Sequence, residues 1–91
     1  MNRAVITVVG KDTIGIIARV CTYLAERQVN ILDISQTIVD GIFNMMMIVD
    51  VSRLDSSFHE LANGLESIGE HEIGVQIKCQ KEEIFDQMHR I

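Results

Sequence analysis

Residues 30–51, NILDISQTIVDGIFNMMMIVDV, contain the pattern that decides the fold, two apolar-rich stretches joined by Asp40-Gly41. An Asp-Gly dipeptide readily adopts the two positive-φ positions of a tight hairpin turn. A two-residue turn places Val39 opposite Ile42 and so fixes the register of the pair. We therefore predict antiparallel strands over 30–39 and 42–51.

This register also assigns the side chains of the hairpin to two faces of a sheet. One face is expected to lie under helices, and the other to remain bare, where its mixture of polar and apolar groups favours a partner or a ligand. The predicted covered face consists of Leu32, Ile34, Ile38, Phe43, Met45, Met47 and Val49. The predicted bare face consists of Asp33, Ser35, Thr37, Asn44, Met46 and Ile48.

A strand and a helix are predicted before the hairpin. Residues 4–9, AVITVV, are apolar on both sides, which is typical of a central strand. Apolar residues then recur at helical spacing, and Asp12 or Thr13 is suited to cap the helix. The predicted buried face of this helix is Ile14, Ile17, Ala18, Cys21, Leu24 and Ala25.

A second helix and a fourth strand are predicted after the hairpin. Ser57 and Glu60 match a capping box, and Gly69 is the expected C-terminal stop. The predicted helical face is Phe58, Leu61, Ala62, Leu65 and Ile68, and the strand alternates through Ile73, Val75, Ile77 and Cys79. Residues 81–91 place Ile84, Phe85, Met88 and Ile91 on one side of a short helix, which must dock on the domain or on another subunit.

The order βαββαβ predicts an α+β, ferredoxin-like fold, with a four-stranded antiparallel sheet and two helices on one face. We expect one domain over residues 1–91, with the core in 1–80 and a C-terminal helix in 81–91. A chain of 91 residues is near the low end for a single core, so a partner would add useful stability.

Composition excludes several classes of function. A formal net charge of −5, with eight Lys and Arg residues, disfavours nucleic acid and anionic membranes as partners. The longest apolar run, Met45–Val49, is far shorter than the roughly 20 residues of a membrane span. Cys21 and Cys79 lie on predicted apolar faces, which is typical of reduced thiols in a cytosolic protein. The expected location is cytoplasmic.

No catalytic residue, metal site or cofactor is predicted. His59, His71 and His89 lack a neighbouring nucleophile or orienting carboxylate, and no metal-ligand spacing occurs. The segment 10–15, GKDTIG, is not a phosphate loop, because Ile16 and Ile17 occupy the places of its Lys and Ser/Thr. Its glycines also lack the dinucleotide-binding spacing.

The segment 10–15 is nevertheless a possible binding site for a small ligand. A helix N-terminus presents free N–H groups to a carboxylate, and Asp12 is able to accept an ammonium group. An equally good interpretation is structural, with Gly10 and Gly15 allowing a tight turn and Asp12 capping the helix.

The stretch 10–16, GKDTIGI, followed by an amphipathic helix and Val29-Asn30-Ile31, resembles the signature of ACT domains. ACT domains are small modules that are found within enzymes of amino-acid metabolism and as short free-standing proteins. Residues 34–37, ISQT, the methionine-rich third strand and Ile84-Phe85 further resemble the stand-alone bacterial and archaeal members. The resemblance covers nearly the whole chain.

In ACT domains that bind amino acids, the ligand sits between the first loop of one subunit and the second strand of its neighbour. The resemblance implies that Asp12 and Asn30 hold the polar groups of the ligand and that Gly15 lets the loop approach. The implied ligand-binding residues are Gly10, Lys11, Asp12, Thr13, Ile14, Gly15 and Asn30. Gly10 replaces a histidine of serine-sensing members, and Ile14 replaces a frequent proline, so serine specificity is not expected.

A homodimer is also expected, because side-by-side pairing of two sheets would remove one open edge per subunit. Met46 and Ile48 are the candidates for burial in it, unless the terminal helix covers this surface within one chain. The leading hypothesis is a regulator whose bound metabolite is sensed by an associated enzyme or regulator. The alternative is an interaction module without a small ligand, using the sheet edges and the Phe85/Met88 helix. The least favoured hypothesis is an enzyme whose catalysis depends on Lys11, Asp12 or His59.

Overall fold

The computed structural model describes residues 2–84 and confirms the βαββαβ order. A five-residue π-helical turn, Gly69–Ile73, follows the second helix and is called the π-turn below. The elements are β1 Arg3–Lys11, α1 Ile16–Glu26, β2 Asn30–Val39, β3 Ile42–Asp50, α2 Phe58–Ile68 and β4 Val75–Lys81.

The four strands form one antiparallel sheet in the order β2-β3-β1-β4. The central position of β1 is as predicted, and β2 and β4 form the two edges. Val39 pairs with Ile42, which confirms the two-residue turn, and Asp40 and Gly41 have φ of 51° and 79°. The turn chemistry of the sequence therefore sets the register of half the sheet.

The core lies between the sheet and the two helices. Ile6 and Val8 of β1 and Met47 and Val49 of β3 are fully buried on the helix-facing side. Leu61, Leu65 and Ile68 of α2 are buried against them, as predicted. The core is therefore aliphatic, with Tyr23 and Phe43 as its buried aromatic residues within the described part of the chain.

The predicted buried face of α1 is wrong except for Leu24 and, in part, Cys21, which packs against the edge of the core. The helix buries Ile16, Val20, Tyr23 and Leu24, whereas Ile14 is 99% and Ile17 is 36% exposed. Ala18 and Ala25 are exposed, and Cys21 is half-buried. Both faces of this helix are apolar, so periodicity alone does not choose between them. The face with Val20 and Tyr23 removes more apolar area from water than the one with two alanines.

The predicted cap of α1 is also wrong. Neither Asp12 nor Thr13 caps the helix, because the N-cap is Gly15, which has φ of 89° and no capping side chain. The Gly15 carbonyl accepts the Arg19 N–H at 2.9 Å, and the Asp12 N–H is bound instead to the Gly41 carbonyl at 2.9 Å. The loop is thus tied to the tip of the β2–β3 hairpin.

The start of α2 is as predicted, and α2 ends at Ile68 with Gly69 as its C-cap, also as predicted, although the backbone continues beyond it in a helical path. Ser57 is the N-cap, and its Oγ accepts the Glu60 N–H at 3.1 Å. Gly69 is right-handed, and the chain continues through the π-turn to Gly74, whose φ is 67°. Glycine is required at position 69 by packing and not by a left-handed helix end, since a Cβ there would lie 2.5 Å from the Val75 carbonyl oxygen. Ile73 consequently belongs to the π-turn and not to β4.

A β-bulge in β2 alters one of the predicted faces. The register shifts between Ile31 and Asp33, so Leu32 is the extra residue and leaves the predicted covered face. Ile34 and Ile38 pair with Met47 and Phe43 and share their face, but they remain 41% and 53% exposed. The helices therefore do not cover this edge strand.

The predicted bare face is confirmed by the pairs Asp33–Ile48, Ser35–Met46 and Thr37–Asn44. Of the predicted C-terminal helix, Lys81 belongs to β4 and residues 82–84 are helical. Residues 85–91, including Phe85 and Met88, lie outside the described part of the chain.

Candidate functional site

The loop between β1 and α1 contains six of the seven predicted ligand-binding residues. Gly10 and Lys11 are the last residues of β1. Residues 12–15 are exposed to solvent and connect β1 to α1. Since neither Asp12 nor Thr13 caps the helix, their side chains are not committed to the structural role considered for Asp12. The first N–H groups of α1 likewise have no side-chain acceptor from a cap.

Gly10 has a structural role in this loop. It pairs with Val75 at the junction of β1 and β4. A Cβ at Gly10 would lie 2.6 Å from Val75 Cγ1 and 2.9 Å from Val75 Cα. A side chain at this position, including a histidine, would therefore require β4 to shift.

Asn30, the seventh predicted residue, lies at the opposite end of the same sheet. Asn30 pairs with Asp50 at the end of β3, whereas Lys11 pairs with Ile42 at its beginning. Eight steps along a strand separate these two positions, a distance of about 26 Å. Within one chain the structure therefore does not bring Asn30 to the loop.

Asn30 instead lies in a cleft of about 490 Å³. The cleft lies between the C-terminal end of α1, the first residue of β2 and the last residue of β3. Its lining residues are Ala25, Gln28, Val29, Asn30, Asp50 and Arg53. Gln28, Asp50 and Arg53 were not among the residues predicted from the sequence.

Asp50 is held by a short turn at one wall of this cleft. Its Oδ1 accepts the Ser52 N–H at 2.9 Å and the Ser52 hydroxyl at 2.6 Å. These two hydrogen bonds lower the pKa of the Asp50 carboxyl, with a smaller contribution from the positive charge of Arg53. Asp50 is thus a fixed anion next to Asn30 at neutral pH.

Among residues 2–84, the other side chains considered for chemistry include His59 and the two cysteines. His59 exchanges a hydrogen bond with Asn63 on the exposed side of α2, at 3.0 Å. Burial raises the pKa of the Cys79 thiol to about 12, and desolvation also raises the pKa of Cys21. Within residues 2–84 no three His, Cys, Asp or Glu side chains converge as a metal site requires. No helix in that range is long and apolar enough to cross a membrane.

Comparison with known proteins identifies the family. Residues 2–80 match the model of the ACT domain. The chain belongs to the ACT domain family. The resemblance carried by GKDTIGI is thereby confirmed, and ACT domains are a family of regulatory, small-ligand-binding modules.

Individual relatives of this ACT domain agree with the assignment. A UPF0237 protein of Bifidobacterium longum is 64% identical over the full length of both chains. The structure of an ACT domain protein from Streptococcus pneumoniae is similar with a TM-score of 0.81 at 44% identity, covering 93% of this chain and 94% of the other. The ligand-free regulatory subunit of aspartate kinase from Thermus thermophilus is similar with a TM-score of 0.65 at 27% identity, covering 88% of this chain and 51% of that one.

Proposed function

We propose that this ACT domain is a non-catalytic regulatory domain that binds an amino acid at the interface between two copies of the chain. The observation that carries the proposal is the separation of the two parts of the predicted site. The loop 10–15 and Asn30 lie at opposite ends of one sheet, so a second chain is needed to bring them together.

The edge strand β2 offers a way to do so. If β2 pairs antiparallel with β2 of a second copy, the Asn30 end of each strand lies beside the Val39 end of the other. Val39 precedes the hairpin tip, where the Gly41 carbonyl holds the Asp12 N–H. Such pairing would place Asn30 of one copy near the loop of the other, twice per dimer.

Exposed apolar surface on the same side of the domain supports the pairing. α2 packs beside β4, and so α1 occupies the β2 side of the helical layer. Ile17 of α1 and Ile14 of the loop before it are exposed, and the edge strand β2 leaves Ile34 and Ile38 open to solvent. A small domain gains stability by covering surface of this kind. Met46 and Ile48, on the bare face, remain candidates for additional burial.

A complementation experiment tests the proposal. Thermal unfolding is first measured with each of the twenty amino acids at millimolar concentration, because a ligand at 100 times its dissociation constant adds about 2.7 kcal/mol. We expect one chemical class to raise the melting temperature, and Asp12→Ala and Asn30→Ala each to abolish the rise. Mixing the two variants should restore it, since a mixed dimer has one site with both native residues.

Three results would contradict this proposal. A protein that elutes as a monomer at micromolar concentration has no such interface. A mixture that stays unresponsive, although the variants exchange subunits, would place the ligand within one chain. No response of the wild type to any amino acid would favour the interaction module, for which the exposed apolar side of α1 is the supporting observation. Capture of a partner that Ile17→Lys abolishes and Asp12→Ala does not would then be the result to seek.

A further inference from the structure

We infer that Asp50 and Arg53 are further charged residues of the ligand site, with Arg53 binding the carboxylate of an amino acid and Asp50 its ammonium group. This inference rests on the proposed function and extends it to residues outside the predicted set. It also gives the ligand a chemical class, a zwitterion with an unmodified amino group and an unmodified carboxylate.

The cleft at Asn30 contains one group of each charge and two amides. Asp50 and Arg53 lie on the same cleft as Asn30 and Gln28, in a space of about 490 Å³. A free amino acid presents a cation and an anion on one carbon, so a site that selects it needs both partners close together.

Asp50 has an oxygen available for the ammonium group. Both of its hydrogen bonds to Ser52 use Oδ1, and among the described residues no hydrogen bond uses Oδ2. The Ser52 hydroxyl in turn accepts the Asn2 N–H at 3.1 Å, so the turn is anchored to the start of β1. The carboxylate is therefore positioned before any ligand arrives, which lowers the entropic cost of binding.

Arg53 differs from the other arginines of residues 2–84. Arg3 is paired with Glu82 at 3.1 Å, and Arg19 with Glu72 at 2.8 Å. Arg27 lies over the ring of Tyr23, 3.6 Å from its centroid. No described carboxylate lies within 4.0 Å of the nitrogens of Arg53. Its planar guanidinium group, which matches a carboxylate with two parallel hydrogen bonds, is thus available at the cleft.

The backbone at the cleft supports a role for Gln28. Gln28 has φ of 62°, a left-handed conformation that glycine adopts without strain. It occupies the position after the C-cap of α1, where the Gln28 and Val29 N–H groups bind the Ala25 and Leu24 carbonyls. A long amide side chain thus occupies a position where glycine would be less strained, and it lines the cleft.

The test compares ligands that lack one charge with variants that lack the matching residue. The amino acid that most raises the melting temperature of the wild type is titrated by calorimetry, together with its methyl ester and its N-acetyl derivative. We expect the wild type to bind the free amino acid at least about 10-fold more tightly than either derivative. Arg53→Gln should lose about 10-fold or more in affinity for the free amino acid and cease to distinguish it from the ester.

Lys78→Gln is the matched control, because it removes a positive charge from the opposite edge strand β4, away from the cleft, and should leave affinity unchanged. Asp50→Asn should reduce affinity for the free amino acid and remove the discrimination against the N-acetyl derivative. Unchanged affinity and ester discrimination in Arg53→Gln would overturn the assignment while the proposed function stands. If no amino acid binds the wild type, the proposed function and this inference fail together.

Discussion

Substitution of Gly10 by alanine is expected to destabilise the domain through contact with Val75. The added Cβ would lie 2.6, 2.8 and 2.9 Å from Val75 Cγ1, Cβ and Cα, and the last of these belongs to the backbone of β4. Overpacking of this kind costs about 1–3 kcal/mol, offset by the roughly 0.5–1 kcal/mol that alanine gains over glycine in a strand. The midpoints of these ranges leave a net loss of about 1 kcal/mol, which corresponds to a fall of roughly 4–8 °C in melting temperature for a domain of this size.

The assay is urea and thermal unfolding of a double-mutant cycle. Val75→Ala removes Cγ1, the nearest of the three atoms, so Gly10→Ala should cost less in that background than in the wild type. A Gly10→Ala protein as stable as the wild type, or a cost independent of Val75, would refute the reasoning.

Three other perturbations follow from contacts elsewhere in the domain. Gly64→Ala places a Cβ on the Tyr23 hydroxyl and, after the roughly 1 kcal/mol that alanine gains over glycine in a helix, should destabilise by up to about 2 kcal/mol in urea unfolding, with a smaller loss in a Tyr23→Phe background. Gln28→Gly removes a left-handed side chain and should raise stability by a few tenths to about 1 kcal/mol, measured in the same way. The bonds from Arg19 lower the pKa of Glu72 below 4.5, so its stabilisation is complete above that pH and is lost as the pH falls through the lowered value. Glu72→Gln should therefore differ from the wild type in melting temperature at about pH 6 and converge with it near pH 2.

The parts of the fold that were predictable depend on local chemistry. Asp40-Gly41 requires positive φ at both positions, and Ser57 offers the hydroxyl that the Glu60 N–H needs. Each of these two features depends on residues within four positions of one another, so it can be predicted from the sequence without knowledge of the tertiary structure. The strand pairs and the start of α2 were consequently correct.

The face of α1 was not predictable in this way. Ile14 and Ile17 fit a helical stripe as well as Ile16 and Val20 do, and the choice depends on which set meets the sheet. The Gly15 N-cap, two or three residues later than expected, also frees Asp12 from capping. Tertiary packing rather than periodicity decides both outcomes.

The candidate site illustrates a stronger limit. A two-residue turn with no irregularity would pair Asn30 with Val51, since Val39 pairs with Ile42. The bulge at Leu32 shifts the register by one residue and places Asp50 opposite Asn30. Counting along the sequence therefore finds Asn30 but not its charged neighbour. Arg53 was also not predictable, because it lies in the connection between β3 and α2, where the sequence has no periodic pattern.

The division of the proposed site between two chains has a thermodynamic consequence. If each ligand contacts the loop of one copy and the cleft of the other, ligand binding and dimer formation are linked, and each strengthens the other by the same factor. Under this proposal a limited interface, formed by the exposed apolar side of α1 and the open edge of β2, would leave monomer and dimer in an equilibrium that a small ligand is able to shift. If the dimer were instead formed at all ligand concentrations, the amino acid would leave the oligomeric state unchanged and would have to act through a conformational change within the dimer.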